Sequence, residues 1–261
     1  PERVPTSWAE RSGRFNSMNE KSTQIQTMFS RIARRYDLMN RVMTGGRDEA
    51  WRRIAAAELR LENAPAPRVI DLATGTGDLA FAVQRKYPNA SIEAFDFSEG
   101  ILRVGAEKGA KRTPQTGLTA SGAVRPVINF GVADALSIPF PDHTFDGCIN
   151  GFLLRNVVDL PRCLRELRRV VKPGGRVVCM EITHPQTPIF RDLFKIYFDN
   201  MIPIIGGIIT GDPSAYKYLP NSLKQFPAAK PLKQMMLDAG YREVSYRLLG
   251  LGTMAVHTCL V

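Results

Sequence analysis

Apolar and polar positions follow two different rhythms along this chain. Across residues 22–61, Ile25, Met28, Phe29 and Ile32, then Ile54, Ala57 and Leu61, recur at helical spacing with polar residues between them. The run predicts a helical preface. Asn63-Ala-Pro-Ala-Pro67 ends it, since each proline disfavours helix at the residue before it. Beyond that break, short apolar runs alternate with amphipathic stretches. Strands are predicted at residues 68–73, 91–96, 127–131, 145–150 and 176–182. The clearest intervening helix covers residues 159–171, with Leu160, Leu164, Leu167 and Val171 on one face and Asp159 as its cap ahead of Pro161. Residues 243–249 and 253–260 both alternate, and Gly250-Leu-Gly252 between them predicts a hairpin.

Strand alternating with helix argues for a parallel sheet covered on both faces. Finishing it with an antiparallel hairpin gives an α/β fold of seven strands, a Rossmann-like sheet behind an N-terminal helical cap. We read residues 1–261 as one domain: cap 1–63, core 64–183, insertion 184–231, and last helix and hairpin 232–261. Residues 113–126, rich in Thr, Gly, Ser and Pro, read as a solvent loop. Within the insertion, residues 189–202 are apolar on nearly every face, which fits either a buried helix or a lid over an apolar substrate.

Composition narrows the class. The chain has 261 residues, 44% of them hydrophobic and 23% charged, with 21 Gly, 18 Pro and four Cys. These values exclude a disordered, collagen-like or disulfide-framework protein. Cys148, Cys163, Cys179 and Cys259 form no C-x-x-C pair and lie far from His143, His184 and His257, so no metal site is expected. The thiols suit a reducing compartment. Residues 201–210, the longest apolar stretch near the middle, are half of the ~20 that a membrane span requires, and the N-terminus shows no charged-then-apolar leader pattern. A net charge of +10 suits an anionic membrane surface, but the basic residues are scattered as short pairs and nucleic acid is not expected.

The chemistry concentrates at strand ends. Asp71-Leu-Ala-Thr-Gly-Thr-Gly77 closes the first strand and leads into a helix at Asp78. Glycines there let the backbone turn sharply and approach a ligand. Gly75-x-Gly77-x-x-Ala80, with Asp96 about 20 residues on, satisfies a dinucleotide fingerprint and keeps an NAD-dependent oxidoreductase open. Asp78, however, sits where a pyrophosphate would rest. A cationic sulfonium cofactor without phosphate reverses the sign, so Asp71 and Asp78 would favour it. Asp96 would then accept the ribose hydroxyls, and Asp134-Ala135 would meet the adenine amino group.

Several segments together resemble one family. Tyr36-Asp-Leu-Met-Asn40 followed by Trp51, Pro139-Phe-Pro-Asp-x-x-Phe-Asp146, Leu154-Arg-Asn-Val157, Arg169-Val-Val-Lys-Pro-Gly-Gly175 followed by Glu181, and Tyr216-x-Tyr-Leu219 resemble the UbiE/MenG quinone C-methyltransferases. The resemblance runs from about Met28 to the C-terminus. It implies the class I methyltransferase fold, S-adenosyl-L-methionine as cofactor, and methylation of a ring carbon on a prenylated quinol, either demethylmenaquinol or a methoxy-benzoquinol. It also implies cofactor contacts from Thr76, Asp96, Asp134 and Ala135. Three positions depart from the family pattern: Thr44 and Asp48 stand where Ser and His are usual, and Thr183 stands for Ser. Gly151 occupies a position that often carries a cofactor-contacting Ser, leaving that contact to backbone or to Asn150.

The expected cofactor residues are therefore Asp71, Gly75, Thr76, Gly77, Asp96, Asp134, Ala135 and Asn150. Arg155 and Asn156 are the candidates for orienting the quinol hydroxyl and stabilising a phenolate, with an ion pair from Arg155 to Asp159 as the structural alternative. Tyr36 would line the site from the cap. Tyr197, Tyr218 and His184 are weaker candidates, and His257 reads as structural. The region 189–209, including Phe194 and Ile205, would house the prenyl tail. Another small aromatic or lipid acceptor, and a non-catalytic scaffold of the same fold, stay open. A homodimer and a cytoplasmic location, peripheral to the inner membrane, or an organelle interior if the source is eukaryotic, are also expectations.

Overall fold

A computed structural model of the chain describes residues 20–112, 127–211 and 213–261. The loop expected at 113–126 lies outside the described residues. The helical preface forms two helices, α1 (Glu20–Met43) and α2 (Asp48–Ala57), joined by a turn at Thr44–Arg47 that contains Gly45 and Gly46. Then follow β1 (Arg68–Leu72), α3 (Asp78–Lys86), β2 (Ser91–Asp96), α4 (Glu99–Arg112), β3 (Ile128–Val132), β4 (Phe145–Gly151), α5 (Leu160–Arg169) and β5 (Val171–Ile182). The insertion supplies α6 (Pro188–Ile196), a π-turn at Tyr197–Met201, α7 (Ile202–Thr210) and α8 (Pro213–Lys224). The last helix, α9 (Ala229–Asp238), begins three residues earlier than expected, and the hairpin β6 (Glu243–Leu249) and β7 (Met254–Leu260) closes the chain.

The strands form one seven-stranded sheet in the order β3-β2-β1-β4-β5-β7-β6. β1 to β5 run parallel, and β7 pairs antiparallel with both β5 and β6. Strand order reverses between β1 and β4, the crevice where such sheets hold ligands at their carboxyl ends. β1 reads as an apolar run broken only by Asp71, because its residues after Arg68 are buried on both faces. β5 starts five residues before its expected boundary: Val171 pairs with Phe145, and the Lys172-Pro-Gly-Gly175 segment is absorbed where the register shifts before Gly147 pairs with Arg176. α5 starts where the sequence puts it, since the Asp159 carboxylate accepts the Arg162 amide at 2.9 Å.

One apolar cluster joins the sheet to α5 and α9, with Leu164, Leu167, Leu232 and Met236 fully or nearly fully buried. A second joins the opposite face to α2 and α3 through Ala55, Leu59, Ala80 and Val83. A third, smaller cluster packs α1 against the insertion through Met28, Ile32, Met39, Phe198 and Ile202. It roofs the crevice. α1 also lies directly on α4, where a Cβ on Gly100 would fall 2.6 Å from Ser30 Oγ, so that contact needs glycine.

Candidate active site

After β1 the backbone takes left-handed conformations at Ala73, Gly75 and Gly77, with φ of 57°, 58° and 82°, and enters α3. Such a turn favours glycine, which carries no Cβ to clash. Asp96, the last residue of β2, anchors this loop: Oδ2 accepts the Gly75 amide and Oδ1 the Ser98 amide, each at 2.8 Å. Burial pushes its carboxyl up to about 6, against these amide hydrogen bonds. Asp134 follows β3, and its Oδ1 accepts the Leu136 amide at 2.9 Å. Gly75, Asp96, Asp134, Ala135 and Gly151 line one cavity of ≈ 890 Å³, open mouth included. Its described lining holds two carboxylates and no Lys or Arg.

Asp71, Thr76, Gly77 and Asn150 stand outside this lining. Asp71 is fully buried and accepts the Thr74 hydroxyl at 2.7 Å, and burial pushes its carboxyl up to about 7. The Thr76 hydroxyl donates to Asp37 at 2.5 Å, tying the loop to α1. Gly77 is the N-terminal cap residue of α3. Asn150 points into the sheet, with its amide nitrogen 3.2 Å from Cys179 Sγ, because alternate residues of β4 face opposite sides; its neighbour Gly151 reaches the cavity instead. Asp78 does not face a ligand site either. It bonds Lys108 at 2.6 Å and lies 3.5 Å from Arg52; against the upward push of burial, these cations hold its carboxyl below the usual range.

A second cavity of ≈ 930 Å³, open mouth included, lies beneath α1 and the insertion. Its walls are apolar: Met28, Ile32, Trp51, Met180, Phe194, Phe198 and Ile202. Its polar groups are few, chiefly Thr44, Asp48, Arg52, Arg155, Tyr197 and Tyr218. Of the two residues expected to form the tail groove, Phe194 lines it and Ile205 packs behind in the third cluster. The two cavities share Phe29, Tyr36 and Phe152 as a common wall.

Arg155 pairs with Glu181 and not with Asp159. One guanidinium nitrogen lies 2.9 and 3.2 Å from the two Glu181 oxygens, both side chains are buried, and Asp159 is already committed to capping α5. Burial pushes Glu181 up, and the guanidinium opposes it. Arg155 Nε has no hydrogen-bond partner among the described residues, and the guanidinium sits 5.0 Å from the Phe152 ring centre. Asn156 is placed on the acid-lined side, where its amide donates to the Phe152 carbonyl at 2.6 Å and its oxygen accepts the Tyr218 hydroxyl at 3.0 Å. Tyr36 separates the two cavities, and burial raises the pKa of its phenol, which keeps it protonated near neutral pH.

Asp48 shows what the departure from His produces. It begins α2, accepts Arg52 at 2.5 Å and the Thr44 hydroxyl at 3.2 Å, and so forms a buried ion pair at the cavity wall. His184 lines neither cavity, its Nε2 being 3.4 Å from the Phe226 carbonyl. His257 is buried with Nε2 2.9 Å from the Ala229 carbonyl, and burial lowers its pKa. No group of three or more His, Cys, Asp or Glu suited to a metal occurs among the described residues. Sequence reasoning did not foresee the Asp48–Arg52 pair or the role of Glu181. A lone acid in the apolar run 177–182 was the available signal for the latter.

The family model for the ubiE/COQ5 methyltransferase family matches residues 17–260. The chain belongs to this family. Among its relatives, a demethylmenaquinone methyltransferase of Thermus thermophilus is 43% identical over 230 residues, covering 88% of this chain and 98% of the relative. The ubiquinone/menaquinone biosynthesis C-methyltransferase UbiE of Geotalea daltonii is 39% identical over 242 residues, covering 92% and 97%. Among solved structures, a SAM-dependent methyltransferase from Thermotoga maritima superposes with a TM-score of 0.59 at 17% identity, covering 90% of this chain and 99% of that one. The [4+2]-cyclase SpnF gives 0.58 at 19% identity, covering 81% and 80%. These two establish the class I methyltransferase fold. Because one is a cyclase, activity must be argued from the site. Members of the ubiE/COQ5 family use S-adenosylmethionine, and an acid-lined cavity without a cation fits that phosphate-free sulfonium better than a dinucleotide pyrophosphate.

Proposed function

We propose that this chain methylates a ring carbon of a prenylated quinol, with demethylmenaquinol as the acceptor ahead of a methoxy-benzoquinol. The observation that carries the reading is the shared wall. An acid-lined cavity suited to the cofactor meets an apolar cavity suited to a hydrophobic acceptor at Phe29, Tyr36 and Phe152. The naphthoquinol is preferred because relatives such as those of Thermus thermophilus and Deinococcus radiodurans carry the name demethylmenaquinone methyltransferase, and because Lys217-Tyr-Leu-Pro220 resembles that branch.

In this reading Asp96 accepts the ribose hydroxyls, Asp134 and Ala135 meet the adenine, and the turn at Gly75 allows close backbone approach. When bound, S-adenosylmethionine supplies an electrophilic methyl group and leaves as S-adenosylhomocysteine. The chain's own residues prepare the acceptor. Arg155 carries a buried charge at the wall of the cavity, so its guanidinium favours the ionised form of a quinol oxygen placed beside it. Ionisation makes the adjacent ring carbon nucleophilic. The hydroxyl proton passes to solvent, the carbon gains the methyl group, and the ring proton moves to the quinol oxygen as the aromatic ring re-forms. Glu181 fixes the guanidinium, while Asn156, through Tyr218, ties α8 to the loop after β4 and so sets the distance between the two cavities. Positioning of this kind contributes much of a rate enhancement by itself.

Isothermal calorimetry of the full chain with S-adenosylhomocysteine and with NAD⁺, repeated on Asp96→Ala, tests the cofactor half. Micromolar binding of S-adenosylhomocysteine, weakened at least tenfold in the variant, is expected. Binding of NAD⁺ alone overturns the reading.

A further inference from the structure

The segments α6, the π-turn and α7 form one continuous helix of 23 residues, Pro188–Thr210. One side lines the apolar cavity through Phe194, Phe198 and Ile202. The other side faces outward and carries a row of apolar residues: Ile189 is 77% exposed, Leu193 59%, Ile196 59%, Met201 50%, Ile204 63% and Ile208 77%; beside it lie the exposed Lys195 and the Arg191–Asp192 pair, 3.2 Å apart. A straight α-helix turns about 100° per residue, which would carry the second trio roughly 90° away from the first. The π-turn between them inserts about one residue and rotates the second half back into line. The outward apolar stripe is therefore continuous along the whole helix.

We propose that this stripe docks the enzyme on an anionic phospholipid bilayer, with the helix lying in the plane of the interface. By length and composition it could span a bilayer. The topology opposes spanning: the chain must return to α9 and the sheet through α8, whose 12 residues reach about 18 Å against the ~30 Å of a hydrocarbon core. The inner side is also held by α1, where Arg35 donates to the Ile209 carbonyl at 2.6 Å and the Tyr197 hydroxyl donates to the Met43 carbonyl at 3.4 Å. Those contacts set α1 antiparallel beside the helix. α1 exposes Arg34, Arg35 and Arg41 together with Leu38 at 55% and Val42 at 42%.

Cations around an apolar stripe suit anionic lipid headgroups above acyl chains. A two-fold copy of this +10 chain would instead set the same face, arginines included, against itself. The route for substrate follows from this placement and rests on the quinol reading above: a prenyl tail passes from the bilayer to the cavity behind the same helix. Docking itself does not depend on that reading.

Flotation of the full chain with phosphatidylcholine vesicles, with and without phosphatidylglycerol, and with no quinone present, measures docking. The native chain is expected to float with the anionic vesicles, and an Ile196→Glu/Ile204→Glu/Ile208→Glu variant to partition at least tenfold less while still binding S-adenosylhomocysteine. Equal partition of the two, or a native chain that stays at the bottom with both vesicles, overturns the proposal. A Leu193→Trp variant gives a readout that needs no loss of function: emission shifted to the blue and quenched by brominated lipid supports insertion, and unchanged emission opposes it. Sedimentation showing a native dimer that the triple substitution splits, without vesicle binding, assigns the face to a second copy instead. A chain that floats but methylates no quinol leaves docking standing and removes only the substrate reading.

Discussion

Asp71 and Asp96 belong to adjacent strands, and burial raises both. Asp71 titrates near 3.8 when unfolded and at about 7 in the fold. Below its unfolded pKa both states are protonated; above it the native chain keeps a proton that the unfolded chain has released. Stability therefore falls as pH rises through this window and levels off beyond about 7, by on the order of 4 kcal/mol for Asp71. Asp71→Asn removes that contribution, and its Oδ1 still accepts the Thr74 hydroxyl. Thermal melts of the ligand-free chain are expected to show a flatter decline in Tm between pH 4 and pH 8 for the variant; a decline as steep as the native chain's contradicts this account. The sequence marked both acids, because each ends or nearly ends an apolar run. It could not separate Asp96, which faces the cavity, from Asp78, whose partner Lys108 is 30 residues away. Arg155 was legible for the same local reason, while its partner Glu181 depends on two strands meeting in the sheet.

At the scale of elements, the strands were readable to within a residue or two because a sheet covered on both faces demands unbroken apolar runs. Only β5 differs more, where a register shift accommodates Pro173 and two glycines. What periodicity cannot convey is how the cap is fastened. Lys108 on α4 bonds Asp37 of α1 at 2.7 Å and Asp78 of α3 at 2.6 Å, Gln26 donates to the Phe97 carbonyl at 3.0 Å, and the Ser30 and Ser98 hydroxyls lie 2.9 Å apart. These contacts hold α1 over the loops after β1 and β2. The lysine pair is partly exposed, so about 1 kcal/mol is a fair measure of its worth. Lys108→Ala is expected to speed hydrogen exchange in α1 and to weaken S-adenosylhomocysteine binding about fivefold, with Lys108→Arg restoring both. Unchanged exchange in α1 would show that apolar packing alone fixes the cap.

Over the whole molecule, the insertion is neither a plain buried helix nor a plain lid. Its helix carries two apolar faces, one toward the substrate cavity and one toward the outside, and a sequence pattern apolar on nearly every side cannot tell these apart. The parallel strands, the antiparallel hairpin that follows them and the acids at the strand ends follow from features visible along the chain, while the order of strands in the sheet is seen only in the fold. The second cavity does not follow from them, since α1, α2, the end of β5 and α6 to α8 all contribute to it from distant positions. Methyl transfer depends on its meeting the acid-lined cavity at Phe29, Tyr36 and Phe152. The direct test supplies the full chain with S-adenosylmethionine labelled in its methyl carbon and a short-tailed demethylnaphthoquinol, kept reduced, then locates the label by NMR. Label on the ring carbon, absent when the oxidised quinone replaces the quinol and reduced at least a hundredfold by Arg155→Ala, is the predicted result. Label on a quinol oxygen, or none while S-adenosylhomocysteine still binds, would contradict it.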